Sequence, residues 1–209
     1  MCGIVAYKSK NKIPKHIDIL LKLIHESKIR GLHSFGYSYL DNSHVVTKKA
    51  FDLPSSIDDF AQSKATGFIY HNRYSTSGDW KVIDNIQPLS TRDISIAMNG
   101  VVSMAPIEEY EKQYGIKCST ENDSEIFLQL LLQDKDPEEI IHQMKGSCAV
   151  VWLNGNKVYA IRNSHRPLHY FYKDEAIFIC STSDIAHRAV GAKTTEIKPH
   201  KLFNLGLYV

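Results

Sequence analysis

MCGIVAYK, residues 1–8, opens the chain with a cysteine directly before an apolar run. The run from Gly3 to Lys8 predicts a buried β-strand. If Met1 is removed, Cys2 carries both a thiol and a free α-amine, whose unperturbed pKa values are about 8.5 and about 7.7–8.0. The amine can then take the proton of the thiol, so that one residue supplies a nucleophile and a general base. The position of Cys2 alone also fits a small apolar residue at the start of a strand.

The composition of the chain is that of an ordinary globular protein. Of its 209 residues, 43% are apolar and 23% are charged, and 25 Lys and Arg against 23 Asp and Glu give a formal net charge of +2. This balance argues against nonspecific nucleic-acid binding. No apolar run reaches about 18 residues, and no basic stretch precedes an apolar one at the start, so neither a membrane span nor a signal peptide is predicted. Four scattered cysteines predict no disulfide scaffold and favour a reducing, cytoplasmic location.

The hydrophobic pattern predicts strands and helices in alternating groups. Strands are predicted over residues 3–8, 36–40, 44–48, 65–71, 94–98, 148–153, 157–162, 169–172, 176–180 and 202–209. Helices are predicted over residues 14–30, 106–114, 123–133 and 137–144. Turn residues 154–156 and 173–175 each join two strands as a hairpin, which predicts antiparallel sheets with helices packed on their faces. No repeat or linker divides the chain, so we predict a single domain over residues 1–209, with a mature form that begins at Cys2.

A series of motifs follows Cys2 along the chain. They are RGLHSFG at 30–36, HNRYSTSG at 71–78, NIQPL at 85–89, NG at 99–100, NDSE at 122–125, GSCA at 146–149 and the segment from Arg162 to Tyr170. Each motif is weak by itself, because Asn-Gly is usually a turn and Asp-Ser-Glu is usually a helix cap. In this order, behind a cysteine at position 2, they resemble the class II glutamine amidotransferase domains, which are N-terminal-nucleophile hydrolases. The resemblance runs from residue 2 almost to the C-terminus.

The resemblance implies a fold and an activity. The fold is α+β, a four-layer αββα sandwich of two antiparallel sheets. The activity is hydrolysis of the side-chain amide of glutamine through a thioester on Cys2, by a free-standing domain that supplies ammonia to a separate synthetase or transferase. The order Arg-Tyr-Ser-Thr at 73–76 is nearer to the phosphoribosylpyrophosphate amidotransferases than to the aminosugar synthases, which carry Trp at the second place. No cofactor is predicted, since the sequence has no phosphate-cradling glycine motif.

The resemblance also implies how glutamine is bound. Arg73 is expected to pair with the α-carboxylate, since a guanidinium binds a carboxylate through two parallel hydrogen bonds. Asp123 is expected to pair with the α-ammonium, and it is also a candidate N-cap for the helix that follows. The hydroxyls of Ser75 and Thr76 are expected to line the same pocket.

Three further residues are assigned by the resemblance to the reacting end of glutamine. The Asn99 side-chain amide and the Gly100 backbone N–H are the expected donors to the oxyanion that forms when the thiolate attacks. Arg30 is expected to orient the N-terminal residue in its loop.

Three segments depart from the family pattern. His33 stands where the early motif often has Asp, which predicts a change in local packing. Tyr70 stands where a small residue is common, and it is expected either to narrow the pocket or to face the core. Residues 181–184 read Ser-Thr-Ser-Asp where relatives often have Ser-Glu.

Two other functions remain open at this stage. One is an N-terminal-nucleophile amidohydrolase that acts on a γ-glutamyl or other amide substrate without transfer. The other is a non-catalytic regulatory or structural subunit with the same fold, which the intact set of predicted site residues disfavours. No metal site is predicted, because Pro167 prevents His165 and His169 from sharing a helix face.

Overall fold

The computed structural model describes residues 1–41, 44–52, 58–75, 78–102 and 104–209, with the backbone alone at 58 and 59. Its strands are β1 Gly3–Ser9, β2 Ser34–Asp41, β3 His44–Ala50, β4 Gly67–Arg73, β5 Leu89–Ser90, β6 Ile94–Val101, β7 Ser147–Asn154, β8 Lys157–Arg162, β9 His169–Lys173, β10 Ala176–Cys180, β11 Thr195–Glu196 and β12 Phe203–Asn204. Its α-helices are α1 Ile17–Ser27, α2 Asp58–Ala61, α3 Ile107–Tyr114, α4 Glu125–Leu132, α5 Pro137–Gln143 and α6 Ser183–Val190.

The strands form two antiparallel sheets. Within the described residues, the first sheet has seven strands in the order β11-β9-β10-β1-β4-β2-β3, and the second has five in the order β12-β8-β7-β6-β5. The amino-terminal strand β1 is central in its sheet, between β10 and β4. Each of the two predicted hairpin turns joins an antiparallel pair, β7 with β8 and β9 with β10.

Alternation along β1 explains why its sequence is apolar throughout. Val5 and Tyr7 lie in a cluster with the apolar side chains of α1 and α6, on the outer face of the sheet. Ile4 and Ala6 lie in a second cluster, which also contains residues of β6, β7 and β8 such as Val151. Because successive side chains of a strand point to opposite faces, a strand between two apolar layers has no polar side.

A third apolar cluster completes the sandwich. It packs α3, α4 and α5 on the outer face of the second sheet, through side chains such as Ile126 and Ile140 against Val150 and Trp152. The layers are therefore helices, sheet, sheet and helices, so the predicted α+β, αββα fold is confirmed. None of the described helices is both long and apolar enough to cross a membrane.

Several predicted elements need correction. The last strand, predicted over 202–209, is wrong beyond β12: Leu205–Tyr208 is a 3-10 helix, and the Asn204 side chain accepts the Gly206 N–H at 3.0 Å. The predicted helix over 14–30 is α1 flanked by two 3-10 turns, Ile13–His16 and Lys28–Arg30.

Helix α6 was not predicted. It has eight residues, which is too short for a persuasive helical period. Its stabilising features are an Asp184–Arg188 ion pair at i, i+4 with a separation of 2.6 Å, and Gly191, which ends the helix in the left-handed region at φ 67°.

Candidate active site

The predicted site residues lie where β1, β4 and β6 come together. In the β1–β4 register Gly3 faces Asn72, so Cys2 lies beside the end of β4, where Arg73 stands. The two sheets are joined at this end by a hydrogen bond from His71 Nε2 to the Met98 carbonyl oxygen at 3.1 Å. This bond brings Met98, and with it the neighbouring Asn99, next to the strand that pairs with β1.

His71 forms this link as a neutral imidazole. Burial, together with the nearby Arg73 guanidinium, lowers the pKa of His71 to about 3. The ring therefore keeps its Nε2 proton for Met98 without taking up a second one near neutral pH.

The sulfur of Cys2 is held by the backbone of one residue. Tyr74 N–H donates to Sγ at 3.4 Å, and the thiol lies 3.5 Å from the Tyr74 carbonyl oxygen. Cys2 is 8% exposed, and burial raises the pKa of its thiol, opposed by the Tyr74 hydrogen bond and by the positive charges of Arg73 and Arg30. A thiol in this environment needs a base to become a nucleophile.

Arg30 and Met1 lie next to Cys2. Arg30 Nε donates to the Cys2 carbonyl oxygen at 2.8 Å, so Arg30 contacts the residue that it was expected to orient. The Met1 sulfur lies 3.7 Å from Arg30 Nη2 and 3.5 Å from Arg166 Nη1. Burial lowers the pKa of the Met1 α-amine, and the two guanidinium charges lower it further. Met1, Arg30 and Tyr74 line a cleft of ≈ 580 Å³ together with His33 and Asp184.

Arg73 and Asp123 are both buried at the predicted glutamine-binding end. Arg73 Nη1 donates to the Asn85 carbonyl oxygen at 2.6 Å, and Asp123 Oδ2 accepts the Val102 N–H at 2.6 Å. Burial lowers the pKa of Arg73, while Cys2, Asp123 and Asp79 oppose this shift by their negative charge. The two groups are therefore close enough to interact electrostatically with each other and with the thiol.

The start of α4 differs from the prediction. The helix begins at Glu125, and the turn before it is closed by Asn122 Oδ1, which accepts the Ser124 N–H at 3.1 Å. The alternative role of Asp123 as the N-cap of a helix over 123–133 is therefore wrong. Its carboxylate is turned to Val102, the residue directly after β6.

Asn99 presents a side-chain nitrogen that makes no hydrogen bond to the described part of the fold. The residue is 2% exposed, and Asn99 Nδ2 has no hydrogen-bond partner within the described ranges. Gly100 pairs with Cys148 in the β6–β7 register, and a Cβ at this position would overlap the Ser147 carbonyl oxygen. Only glycine therefore allows β7 to approach so closely at this point.

Of the two hydroxyl residues predicted to line the pocket, one can be placed. Ser75 Oγ donates to the Gly78 carbonyl oxygen at 3.1 Å, and its backbone N–H donates to His33 Nδ1 at 3.0 Å. Thr76 lies outside the described residues.

Four polar residues position the site without having been assigned a role from sequence. Asn72 Nδ2 donates to the carbonyl oxygens of Ser27 at 3.0 Å and of Gly31 at 3.1 Å, which fixes the loop that carries Arg30. Gln87 Oε1 accepts the Met98 N–H at 2.6 Å. The third residue is Asn85, whose carbonyl oxygen accepts a hydrogen bond from Arg73. The fourth is Asn122, whose Nδ2 donates to the same oxygen. All four belong to the recognised motifs, so motif membership was the available signal.

The residues that depart from the family pattern have clear places. Tyr70 is 1% exposed and packs in the cluster beneath α1, so the expectation that it faces the core is confirmed. Ser181 Oγ accepts the Ile4 N–H at 2.8 Å, which ties α6 to β1. His33 stacks between Tyr74 and Trp80, with ring centroids 5.0 and 5.4 Å apart.

Comparison with known proteins identifies the family. A family model described as "Glutamine amidotransferase domain" matches residues 71–187, which is more than half of the chain. The chain belongs to the glutamine amidotransferase family. This amidotransferase domain includes the Asn85–Arg73 and Asp123–Val102 contacts within the matched segment. No curated protein sequence matches the chain significantly.

Solved structures of amidotransferases share the fold of the domain. Glutamine phosphoribosylpyrophosphate amidotransferase from B. subtilis superimposes with a TM-score of 0.78 and 20% identity over 97% of this chain and 47% of that one. An allosteric regulatory enzyme of purine biosynthesis gives 0.79 and 21% over 97% and 46%. The chain thus spans about half the length of these two proteins. A glutamine aminotransferase class-II domain protein from Silicibacter pomeroyi gives 0.62 and 17% over 97% and 94%.

Proposed function

We propose that this glutamine amidotransferase domain hydrolyses the side-chain amide of glutamine at Cys2 and passes the ammonia to a separate synthetase or transferase. The observation that carries the proposal is the arrangement at the end of β4. The Cys2 sulfur lies against Tyr74, the Arg73 guanidinium interacts with both Cys2 and Asp123, and the Asn99 amide has no partner among the described residues. A nucleophile, an anion-binding group, a cation-binding group and an oxyanion donor thus occur together.

The base in this mechanism is the α-amine of Cys2 itself. Burial raises the pKa of the Cys2 thiol, so the sulfur needs a proton acceptor. Removal of Met1 creates an amine on the same residue, and a free α-amine is partly unprotonated near neutral pH. Arg30 donates to the Cys2 carbonyl oxygen at 2.8 Å and so holds this residue while the amine accepts the proton.

The reaction then proceeds in two steps. The thiolate attacks the side-chain carbonyl carbon of glutamine, and a tetrahedral oxyanion forms that Asn99 Nδ2 and the Gly100 N–H stabilise. The carbon–nitrogen bond breaks as the amine returns its proton to the nitrogen, which releases ammonia and leaves a thioester between Cys2 and glutamate. Water, deprotonated by the same amine, attacks the thioester and releases glutamate and the free thiol.

Glutamine is recognised at its other end by Arg73 and Asp123. Their opposite charges match the α-carboxylate and the α-ammonium of a free amino acid. Both are held in place by backbone groups of the protein, Arg73 by Asn85 and Asp123 by Val102. A preorganised pair of this kind selects free glutamine over an amide that lacks the two charges.

We expect Asp123→Asn to weaken glutamine binding while leaving the fold intact. The asparagine oxygen can still accept the Val102 N–H, so the change removes the negative charge and keeps this contact. A buried charge-assisted hydrogen bond is worth about 1.5–3 kcal/mol, which corresponds to a rise in KM of roughly tenfold to a hundredfold. The measurement is glutamate release from glutamine as a function of glutamine concentration.

Asp136→Asn provides the matched control for this prediction. Asp136 caps α5 by accepting the Glu138 N–H at 3.2 Å, and asparagine is an equally good cap. Its KM is expected to equal that of the wild type. Equal KM values for Asp123→Asn and the wild type, or faster hydrolysis of γ-glutamyl peptides than of glutamine, would indicate an amidohydrolase with another substrate.

The ammonia needs an acceptor protein because free ammonia is protonated at neutral pH and lost to solvent. The domain covers 47% of the B. subtilis phosphoribosylpyrophosphate amidotransferase chain, so that protein has additional chain beyond the shared fold. We expect a synthetase or transferase to co-purify with this domain and to raise its glutaminase turnover. Full turnover by the isolated protein, unchanged when ammonia acceptors and their enzymes are added, would contradict this role.

A further inference from the structure

We propose that His33 is a positioning residue, whose Nδ1 atom holds the Tyr74–Ser75 backbone against the Cys2 sulfur. The proposal rests on the glutaminase function proposed above and adds a residue to it. His33 contacts Arg73, Tyr74 and Ser75, which follow one another at the end of β4. Tyr74 also contacts the sulfur of Cys2, the proposed nucleophile.

His33 contacts Arg73, Tyr74 and Ser75 through three different groups. Its backbone N–H donates to the Arg73 carbonyl oxygen at 3.0 Å. Its ring stacks on Tyr74 with an interplanar angle of 22°. Its Nδ1 atom accepts the Ser75 N–H at 3.0 Å. The other face of the ring is covered by Trp80, at an interplanar angle of 28°. His33 thus holds residues 73–75 through two hydrogen bonds to their backbone and through the ring of Tyr74.

The segment that His33 fixes is the one that holds the sulfur. Both polar atoms of the Tyr74 backbone lie near Cys2 Sγ, at 3.4 Å for the nitrogen and 3.5 Å for the oxygen. A shift of the 74–75 backbone therefore moves the donor that stabilises the thiolate. Catalytic geometry is sensitive to displacements of about 1 Å, so loss of the His33–Ser75 bond is expected to lower the rate.

The state of the His33 ring follows from the hydrogen bond. An imidazole nitrogen that accepts a hydrogen bond carries no proton, so the neutral ring has its proton on Nε2. A protonated imidazolium has donors on both nitrogens and cannot accept the Ser75 N–H. The neutral ring therefore acts as the clamp that holds the Ser75 N–H.

Two variants separate the acceptor from the ring. In His33→Phe the ring can still stack between Tyr74 and Trp80, but the acceptor is lost. In His33→Asn the stack is lost, but the amide oxygen stands close to the place of Nδ1 and can accept the Ser75 N–H. We expect His33→Phe to lower kcat roughly threefold to tenfold, the effect of one hydrogen bond, with little change in KM. We expect His33→Asn to recover most of this loss.

The split between kcat and KM provides the decisive comparison. His33→Phe is expected to lose kcat at an unchanged KM, because Arg73 and Asp123 keep their own backbone contacts. An unchanged kcat in His33→Phe, or a loss in His33→Asn as large as in His33→Phe, would overturn the proposal.

Amide hydrogen exchange at Ser75 tests the clamp without the reaction. The Ser75 N–H is expected to exchange roughly threefold to tenfold faster in His33→Phe than in the wild type and in His33→Asn. If none of the proteins releases ammonia from glutamine, the proposed function fails, and the exchange rates still decide whether His33 holds Ser75. Equal exchange in all three proteins would overturn the clamp even in an active enzyme.

Discussion

Replacement of Cys2 by alanine is expected to lower glutaminase activity by roughly 10⁴-fold or more and to leave the fold in place. The substitution removes the only sulfur that the Tyr74 backbone contacts within the described residues, so the thioester cannot form. Cys2 lies at the start of β1, and alanine occupies such a position without strain. The measurement is ammonia release from glutamine, together with thermal unfolding of the variant.

Cys118→Ala is the matched control for the loss of a thiol. Cys118 lies away from the cleft, in the cluster beneath α3 and α4, and burial together with Glu125 and Glu111 raises the pKa of its thiol to about 12. A thiol with such a pKa is not a nucleophile near neutral pH. Cys118→Ala is expected to keep full turnover, whereas residual turnover in Cys2→Ala would assign the nucleophile to another residue.

Replacement of Asn99 by alanine is expected to lower kcat by about 10²–10³-fold with little effect on KM. The loss falls on kcat because the amide stabilises charge that develops only in the transition state. Asn99 Nδ2 has no hydrogen-bond partner in the described part of the chain, so removing this nitrogen breaks no hydrogen bond to the described residues. The free energy of unfolding is therefore expected to change by less than about 1 kcal/mol.

Asn156→Ala is the control for this second prediction. Asn156 Oδ1 accepts hydrogen bonds from Lys8 at 3.1 Å and Thr66 at 2.9 Å in the exposed β7–β8 turn, so its loss affects the stability of the fold rather than the rate. We expect Asn156→Ala to lower the free energy of unfolding and to leave kcat unchanged. If Asn99→Ala retains the kcat of the wild type, the oxyanion is stabilised elsewhere and the assignment of Asn99 is wrong.

The sequence predicted the part of the fold that local patterns encode. β1 is apolar because both of its faces are covered, and the two hairpins have clear turn residues. Helix α6 was missed because its eight residues are too few for a period and its tie to the sheet, Ser181 with Ile4, joins residues far apart in the chain. The last strand was overextended because an apolar run does not distinguish a strand from the 3-10 turn that Asn204 closes.

The sequence likewise predicts only part of the candidate site. Motif order alone predicts Cys2, Arg73 and Asn99 as site residues, and their roles stay predictions. It could not assign Gln87 or Asn85, because their function depends on hydrogen bonds to residues that are distant in sequence. The stacking of His33 between two aromatic rings could not be predicted either, since Trp80 belongs to none of the motifs.

The intact mass of the active protein tests most directly whether an N-terminal cysteine carries the reaction. We expect protein purified for full glutaminase turnover to be lighter than the complete chain by one methionine residue, with Cys2 as its first residue. The contradictory result is full turnover in protein whose mass still includes Met1, because the Cys2 nitrogen is then part of a peptide bond and cannot act as a base.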